Sequence, residues 1–286
     1  TDLIFGTLSG FPCCFSNMHQ GWPRFVRNLW FATPDNGIAA LVFSPSEVTA
    51  KVGNNVAINI KEDTYYPMDE KIRFTLKIES KNIKSVDFPF HIRIPKWCKK
   101  AFITINGQQY KNVVGGQIEV LERNWKNGDV VELSMPMEIM TDDSWLDKSM
   151  SVERGPLVYA LKIEEEWTEK KFTGGEKTRF GEIFWEVKPK TPWNYGIVSF
   201  DKDKINEAFR VVVDQEKVRN NYPWNLKNAP IEIKTKGKRV PYWTLYNEMA
   251  GPLPFSVGTT TEPEEEITLI PYGCTTMRIA QFPVMR

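Results

Sequence analysis

Two cysteines stand on neighbouring positions, Cys13 and Cys14, in a chain with four cysteines in all, and His19 follows five residues later. A cysteine thiolate is both a nucleophile and a zinc ligand. The pair therefore offers a reactive thiol, a strained vicinal disulfide, or two ligands of a zinc ion that would need a fourth beyond His19. It offers packing equally well, because an un-ionised cysteine behaves as a small hydrophobe. Cysteines of structural zinc sites are commonly separated by about two to four residues, a spacing this pair lacks. Residue types alone leave these alternatives open.

An element must present the pair, and the sequence supplies one. In "SNMHQGWPRFVRNLWFATPDNG", Met18, Trp22, Phe25, Val26, Leu29 and Trp30 recur at helical spacing, with Ser16 or Asn17 as N-cap and Pro34 and Gly37 ending the run. The pattern predicts one helix carrying the cysteines at its leading end, with Pro23 opening or kinking it. Unpaired N–H groups and positive partial charge at a helix start favour a thiolate. His19, five residues past Cys14, is not at same-face spacing.

From about residue 37 the periodicity changes to two, the mark of half-buried strands. "KIRFTLKIES" sends Ile72, Phe74, Leu76 and Ile78 to one face, and "VDFPFHIRIP" does the same with Val86, Phe88, Phe90, Ile92 and Ile94. Asn54–Asn55, Asn106–Gly107, Gly115–Gly116 and Asn127–Gly128 supply turns between such runs. The spacing predicts an antiparallel sandwich. Further strands are expected at "SVERGPLVYALK", "IFWEVKP", "FRVVVD", "IEIKTK", "VPYWTLY", "EITLIPYG" and "TMRIAQFP", with a long loop over 163–182. The fold class is thus mainly β: two antiparallel sandwich-like units after a short helical segment, divided as residues 1–36, 37–145 and 146–286. Trp97, Trp125, Trp185, Trp193 and Trp243 fall at strand ends or Pro-rich connections, where large aromatics cap a core. His91 belongs to the polar face of its strand and is expected to be solvated. Asp129 and Glu153 read as structural.

Composition removes whole classes of function. Lys and Arg number 37 against 36 Asp and Glu, a net charge of +1. Nucleic-acid binding rests on a basic surplus that is absent. No run of about eighteen apolar residues offers a membrane span. Four scattered cysteines are too few for a disulfide scaffold. The chain opens on Thr1 rather than Met and reads as the later part of a longer polypeptide.

"CCFSNMHQGWPRFVRNLWFATPDNGIAALVFSPSEV" resembles the cysteine-pair segment of glycoside hydrolase family 127, whose characterised members are β-L-arabinofuranosidases. "HIRIPKWCKKAFITINGQ", "RNWKNGDVVELSMPM" and "VERGPLVYAL" resemble the sandwich segments that follow the barrel in that family, and "ITLIPYGCTTMRIAQFP" its C-terminal end. The resemblance implies an (α/α)6 barrel followed by β-sandwiches, making residues 1–36 the end of the barrel. It implies a zinc ion held by three cysteines and a glutamate, with the first cysteine of the pair as nucleophile. On this sequence Cys13 becomes the nucleophile, and Cys14 together with Cys13 contributes to zinc. His19, Gln20 and Trp22 become candidates for a sugar subsite, where an indole offers a stacking face.

The remaining zinc ligands and the acid–base glutamate lie upstream in the family pattern. The resemblance therefore implies a plant-type glycan as substrate, the upstream barrel as partner, and a chain that is catalytically incomplete alone. Asn17 falls where the family has an asparagine, but Phe15 and Ser16 replace the prolines of the arabinofuranosidase branch, which loosens the sugar specificity. The rival reading is a non-catalytic β-sandwich scaffold or carbohydrate-binding module with vestigial cysteines.

Overall fold

Alternating burial turns the period-two pattern into strands almost wherever it occurs: along Lys71–Ile78 every second residue is buried. A computed structural model describes residues 4–5, 12–220 and 222–286. The chain order begins with strand β1 (Ile4–Phe5) and helix α1 (Pro12–Arg27). Two compact units follow from the contacts, one formed by His19–Glu138, the other by Ile139–Arg286 with the described residues up to Met18.

The His19–Glu138 unit holds β2 (Trp30–Ala32), β3 (Ile38–Ala40), β4 (Ser46–Val52), β5 (Val56–Thr64), β6 (Lys71–Ile78), β7 (Ser85–Ile94), β8 (Ala101–Ile105), β9 (Gln108–Val113), β10 (Gln117–Lys126) and β11 (Val130–Ser134). They form a four-stranded sheet, β10–β7–β3–β2, and a six-stranded sheet, β4–β5–β6–β11–β8–β9. Inward side chains from both sheets make one core, including Ile38, Ile60, Phe74, Phe90, Leu121 and Trp125. Phe74 and Phe90 meet edge to face, with ring centroids 5.2 Å apart, an arrangement worth about 0.5–1.5 kcal/mol beyond area burial. Trp125 is fully buried, and its Nε1–H donates to the Phe88 carbonyl at 2.9 Å, so the indole N–H is not stranded. Asn106 and Gly107 both have positive φ (52° and 77°), which the tight β8–β9 turn needs.

The other unit holds β12 (Ile139–Asp142), β13 (Ser151–Arg154), β14 (Leu157–Leu161), β15 (Glu165–Lys171), α2 (Gly175–Phe180), β16 (Ile183–Pro189), β17 (Tyr195–Val198), α3 (Ile205–Ala208), β18 (Phe209–Val213), α4 (Gln215–Val218), β19 (Ile231–Arg239), β20 (Leu245–Tyr246), β21 (Met249–Ala250), β22 (Glu264–Pro271) and β23 (Val284–Met285). Eight of them form one sheet, along β12–β13–β14–β22–β19–β17–β23 with β18 also on β19, and β1–β16–β15 form a second. Tyr159, Ile197, Ile233, Leu269 and Phe282 are fully buried in this unit. The fold is mainly β, as expected from the periodicity.

Several local expectations change. Residues 163–182 are not a loop: β15 pairs with β16 in register from Glu165↔Pro189 to Lys171↔Ile183. The strand was hidden because both faces of β15 are exposed, leaving no alternation to read. "VPYWTLY" contributes only Leu245–Tyr246, and "TMRIAQFP" yields a single bridge at Phe282. Pairing is not wholly antiparallel, since β3–β7 and β17–β23 run parallel. Trp125 and Trp243 are buried and Trp97 and Trp193 pack on cores, whereas Trp185 meets the exposed Trp167 at 6.4 Å.

Candidate functional site

Helix α1 begins earlier than its sequence pattern suggests. Pro12 occupies its first position, where a missing N–H costs nothing and φ is already helical. Ser16 and Asn17 are therefore inside the helix rather than capping it. Both turn back on the first turn: Asn17 Nδ2 donates to the Cys13 carbonyl at 2.8 Å, and Ser16 Oγ donates to the same oxygen at 3.3 Å. Pro23 lies within the helix. Trp30, expected in the helical run, sits in β2 instead and packs into the core, 6.2 Å from Phe90.

The start of the helix presents Cys13 as an exposed, reduced thiol. The side chain of Cys14 lies outside the described residues. At roughly 100° per residue, Asn17, Gln20 and Arg24 follow Cys13 around one side of α1, with Gln20 only about 20° from it. Trp22 falls on the opposite side, and His19 about 120° away. Of the three candidate subsite residues, the helix thus brings Gln20 alone to the thiol's face. Gln20 Oε1 accepts from Arg24 Nη2 at 3.2 Å, which fixes the amide. Asn17 and Arg24 are members of this stripe that the subsite reading left out. Their spacing from Cys13, four and eleven residues, was the available signal.

Trp22 stacks on Phe25 with centroids 5.8 Å apart and planes at 23°, so its ring is used within the helix as well as exposed. Every described side chain from Ser16 to Asn28 is exposed.

Zinc needs about four ligands with thiolate or imidazole character. Among the described residues no group of three or more His, Cys, Asp or Glu side chains could hold a metal ion. Cys98 and Cys274 are both buried. Burial pushes the Cys98 thiol up, and pushes Cys274 up to about 11, the opposite of what a ligating thiolate requires. Cys274 Sγ instead donates to the Pro223 carbonyl at 3.3 Å. The described side chains do not by themselves fit a closed zinc site.

His91 is not simply solvated. It lies on the outward face of β7, but its Nε2 is 2.9 Å from Asp35 Oδ2. Thr33, and after it His91, hold the Asp35 carboxyl below the usual carboxylate range. Asp129 accepts from Asn106 Nδ2 at 2.8 Å and from the Lys126 N–H at 2.8 Å, closing the β10–β11 turn. Its role is structural.

Residues 37–137 match the family model described as beta-L-arabinofuranosidase, GH127 middle domain. No curated protein matches the chain. Among solved structures the chain is similar to a GH127 beta-L-arabinofuranosidase from Geobacillus stearothermophilus T6, at 19% identity over 95% of this chain and 37% of that one, with a TM-score of 0.63. A GH127 beta-arabinofuranosidase gives 18% identity, 96% and 40% coverage and a TM-score of 0.62. A glycoside hydrolase gives 20%, 96% and 40%, and 0.56. Likeness at these identities establishes the fold. The chain spans between 37% and 40% of the length of these structures. The match over residues 37–137 and the shared fold make the chain GH127-like.

Proposed function

We propose that this chain is the C-terminal portion of a retaining glycoside hydrolase, β-L-arabinofuranosidase-like, in which Cys13 is the nucleophile. The observation that carries the reading is an exposed, reduced cysteine in the first turn of a helix that leads directly into the stretch matching the GH127 middle domain. The relatives' names support a glycan as substrate, and the cysteine-pair resemblance supports a plant-type oligosaccharide.

In this reaction the Cys13 sulfur attacks the anomeric carbon. A C–S bond forms as the C–O bond to the leaving group breaks, and the departing oxygen takes a proton from an acid. Water, giving a proton to the conjugate base of that acid, then forms a C–O bond from the opposite face as the C–S bond breaks and the thiolate leaves, giving net retention through two inversions. Asn17 anchors the turn that aims the sulfur through its bond to the Cys13 carbonyl. Gln20, held by Arg24, lies on the same side of the helix as the sulfur and is assigned to the sugar subsite. In the longer protein Cys13 and Cys14 would supply two donors to a zinc ion, whose bound chemistry is to keep sulfur ionised near neutral pH. The acid–base carboxylate and the other zinc ligands are assigned to the rest of that polypeptide, so the 286 residues alone are expected to be inactive.

No helix among the described residues is long and apolar enough to cross a membrane.

The test is the Cys13→Ser variant of the longer protein. Loss of turnover, with a glycosyl adduct on the Cys13 peptide of the unaltered protein seen by mass spectrometry, supports the reading. Undiminished turnover by Cys13→Ser removes Cys13 from the mechanism, and turnover by the 286-residue chain alone removes the claim of incompleteness.

A further inference from the structure

Opposed residues of an antiparallel pair share a face. In the β15–β16 hairpin, register therefore sets Trp167 with Val187, Glu169 with Trp185, Lys171 with Ile183 and Glu165 with Pro189 on one side. The other side is mostly polar: Lys170 pairs there with Glu186 at 3.5 Å, while Phe184 turns to Phe172 at 4.6 Å. The first side is neither a core nor a uniform apolar patch. Trp167 is 45% exposed, Trp185 and Val187 are half-buried, and the exposed Glu169 and Lys171 stand among them.

Trp167 is held in place although it is exposed. Its Nε1–H donates to Glu165 Oε2 at 3.0 Å. The other oxygen of Glu165 accepts from the Thr276 N–H at 2.9 Å and from Thr275 Oγ1 at 3.4 Å. A carboxylate anchored on backbone thus sets the indole, and Trp185 meets it at 6.4 Å with the planes at 67°. An exposed ring contributes little burial to folding, so its restraint serves something outside the fold. A ring fixed beforehand loses little freedom when a ligand arrives.

The occupant is read from the mixture of groups. Two indole planes with a carboxylate and an ammonium beside them suit a ring with C–H bonds on its face and hydroxyls on its rim, which describes a sugar. A protein partner calls instead for a patch centre depleted of charge, and Glu169 lies directly across from Trp185. Position agrees with a glycan. Phe5 of β1 pairs with Trp185, and Cys13 follows Phe5 by eight residues, a stretch of chain that can span no more than roughly 29 Å. Thiol and tryptophans belong to one compact unit, within reach of a single glycan of several sugars.

We propose that Trp167 and Trp185, with Glu169 beside them, form a distal subsite that holds a sugar unit several positions from the bond being cleaved. Glu165 is a positioning residue that sets the Trp167 ring. The inference rests on reading the chain as part of a glycan hydrolase, and it adds a selection for chain length. A long oligosaccharide reaches the platform, while a disaccharide at Cys13 does not.

Calorimetric titration of the 286-residue chain with an arabino-hexasaccharide tests the site without any turnover. Trp167→Thr and Trp185→Thr, which keep strand-forming residues outside the core, should each weaken binding about tenfold. Tyr246→Thr, at a more exposed aromatic of the same unit, should leave it unchanged. Glu165→Ala should weaken binding, yet add nothing in a Trp167→Thr background, because it acts through that ring. In the longer protein, Trp167→Thr should raise KM for the hexasaccharide about tenfold and leave kcat and the disaccharide KM as they were. Absence of hexasaccharide binding by the 286-residue chain, or binding indifferent to both tryptophans, overturns the inference. So does protection of Trp167 from hydroxyl-radical oxidation in the sugar-free longer protein, which gives the platform to a protein occupant. Turnover by Cys13→Ser reports on the hydrolase reading separately, so the two can fail independently.

Discussion

Ser46 Oγ donates to Glu62 Oε2 at 3.2 Å inside the sandwich, while the Ser44 N–H reaches Glu62 Oε1 at 3.0 Å. Trp30 Nε1 completes the chain by donating to Ser46 Oγ at 3.0 Å. Glu62 is almost wholly buried, and burial pushes its carboxyl up to about 8 against the weaker pull of the two serines. The folded state therefore prefers the neutral acid.

A group whose folded pKa is raised in this way binds a proton in the native chain that the unfolded chain has released. Between roughly pH 4.5 and 8, stability falls by up to about 1.4 kcal/mol per pH unit from this residue, then levels off. Glu62→Gln mimics the protonated form and should remove that slope. Urea melts at pH 5 and pH 9 should find the variant close to the unaltered chain at the lower pH and clearly more stable at the higher. An unchanged slope in Glu62→Gln would place the carboxyl elsewhere than in the core.

Thiol accessibility separates the cysteines. Cys13 is exposed, whereas Cys98 and Cys274 are buried with their thiols pushed up. With Cys14 replaced by Ser, a maleimide should label Cys13 in the native chain and reach the other two only in denaturant. Peptide mapping reads the outcome directly. Labelling of Cys98 at the rate of Cys13 would contradict the packing around β7 and β8.

Trp125 closes the aromatic core against Phe88 and Phe90 at centroid distances of 5.8 and 6.3 Å. Trp125→Ala should cost about 3–5 kcal/mol, from lost burial and the cavity left behind. The loss is expected in the sandwich's own unfolding transition by calorimetry. A cost below about 1 kcal/mol would mean that the core collapses around the gap.

Gly37 lies where β3 passes close to β7. A Cβ there would meet the Pro89 carbonyl oxygen, with Pro89 Cγ at 2.7 Å and Thr33 Oγ1 at 2.8 Å. The obstructing oxygen is backbone and cannot swing aside. Gly37→Ala should therefore destabilise by about 1–3 kcal/mol, measured by thermal melting, and should weaken the Thr33–Gly37 turn that carries Asp35 to His91.

The strands of the sandwich could be read because burial there is one-sided. Lys71–Ile78 and Ser85–Ile94 alternate cleanly because one face meets the core and the other does not. Where neither face is buried, as in Glu165–Lys171, alternation has no physical cause and the strand left no trace. Trp30 misled for a different reason: Val26 and Trp30, four residues apart, fit a helical stripe, yet the chain leaves the helix at Arg27 and spends Trp30 on the sheet core. At the candidate site, residue types and order were legible, while the facing of Gln20 and not Trp22 toward Cys13 depended on where the helix starts. Pro12 fixes that start, two residues ahead of the pair's second cysteine.

The parallel pairing of Ile38–Ala40 with Phe90–Ile92 joins segments about fifty residues apart, and such distant pairings close late because the intervening chain must first be ordered. During synthesis, β2 and β3 leave the ribosome well before β7 exists to receive them. Ile38 and Ala40, later sealed in the interior, are carried bare on the nascent chain until translation has passed β7, so this short hairpin has no sheet to join until some fifty further residues are made.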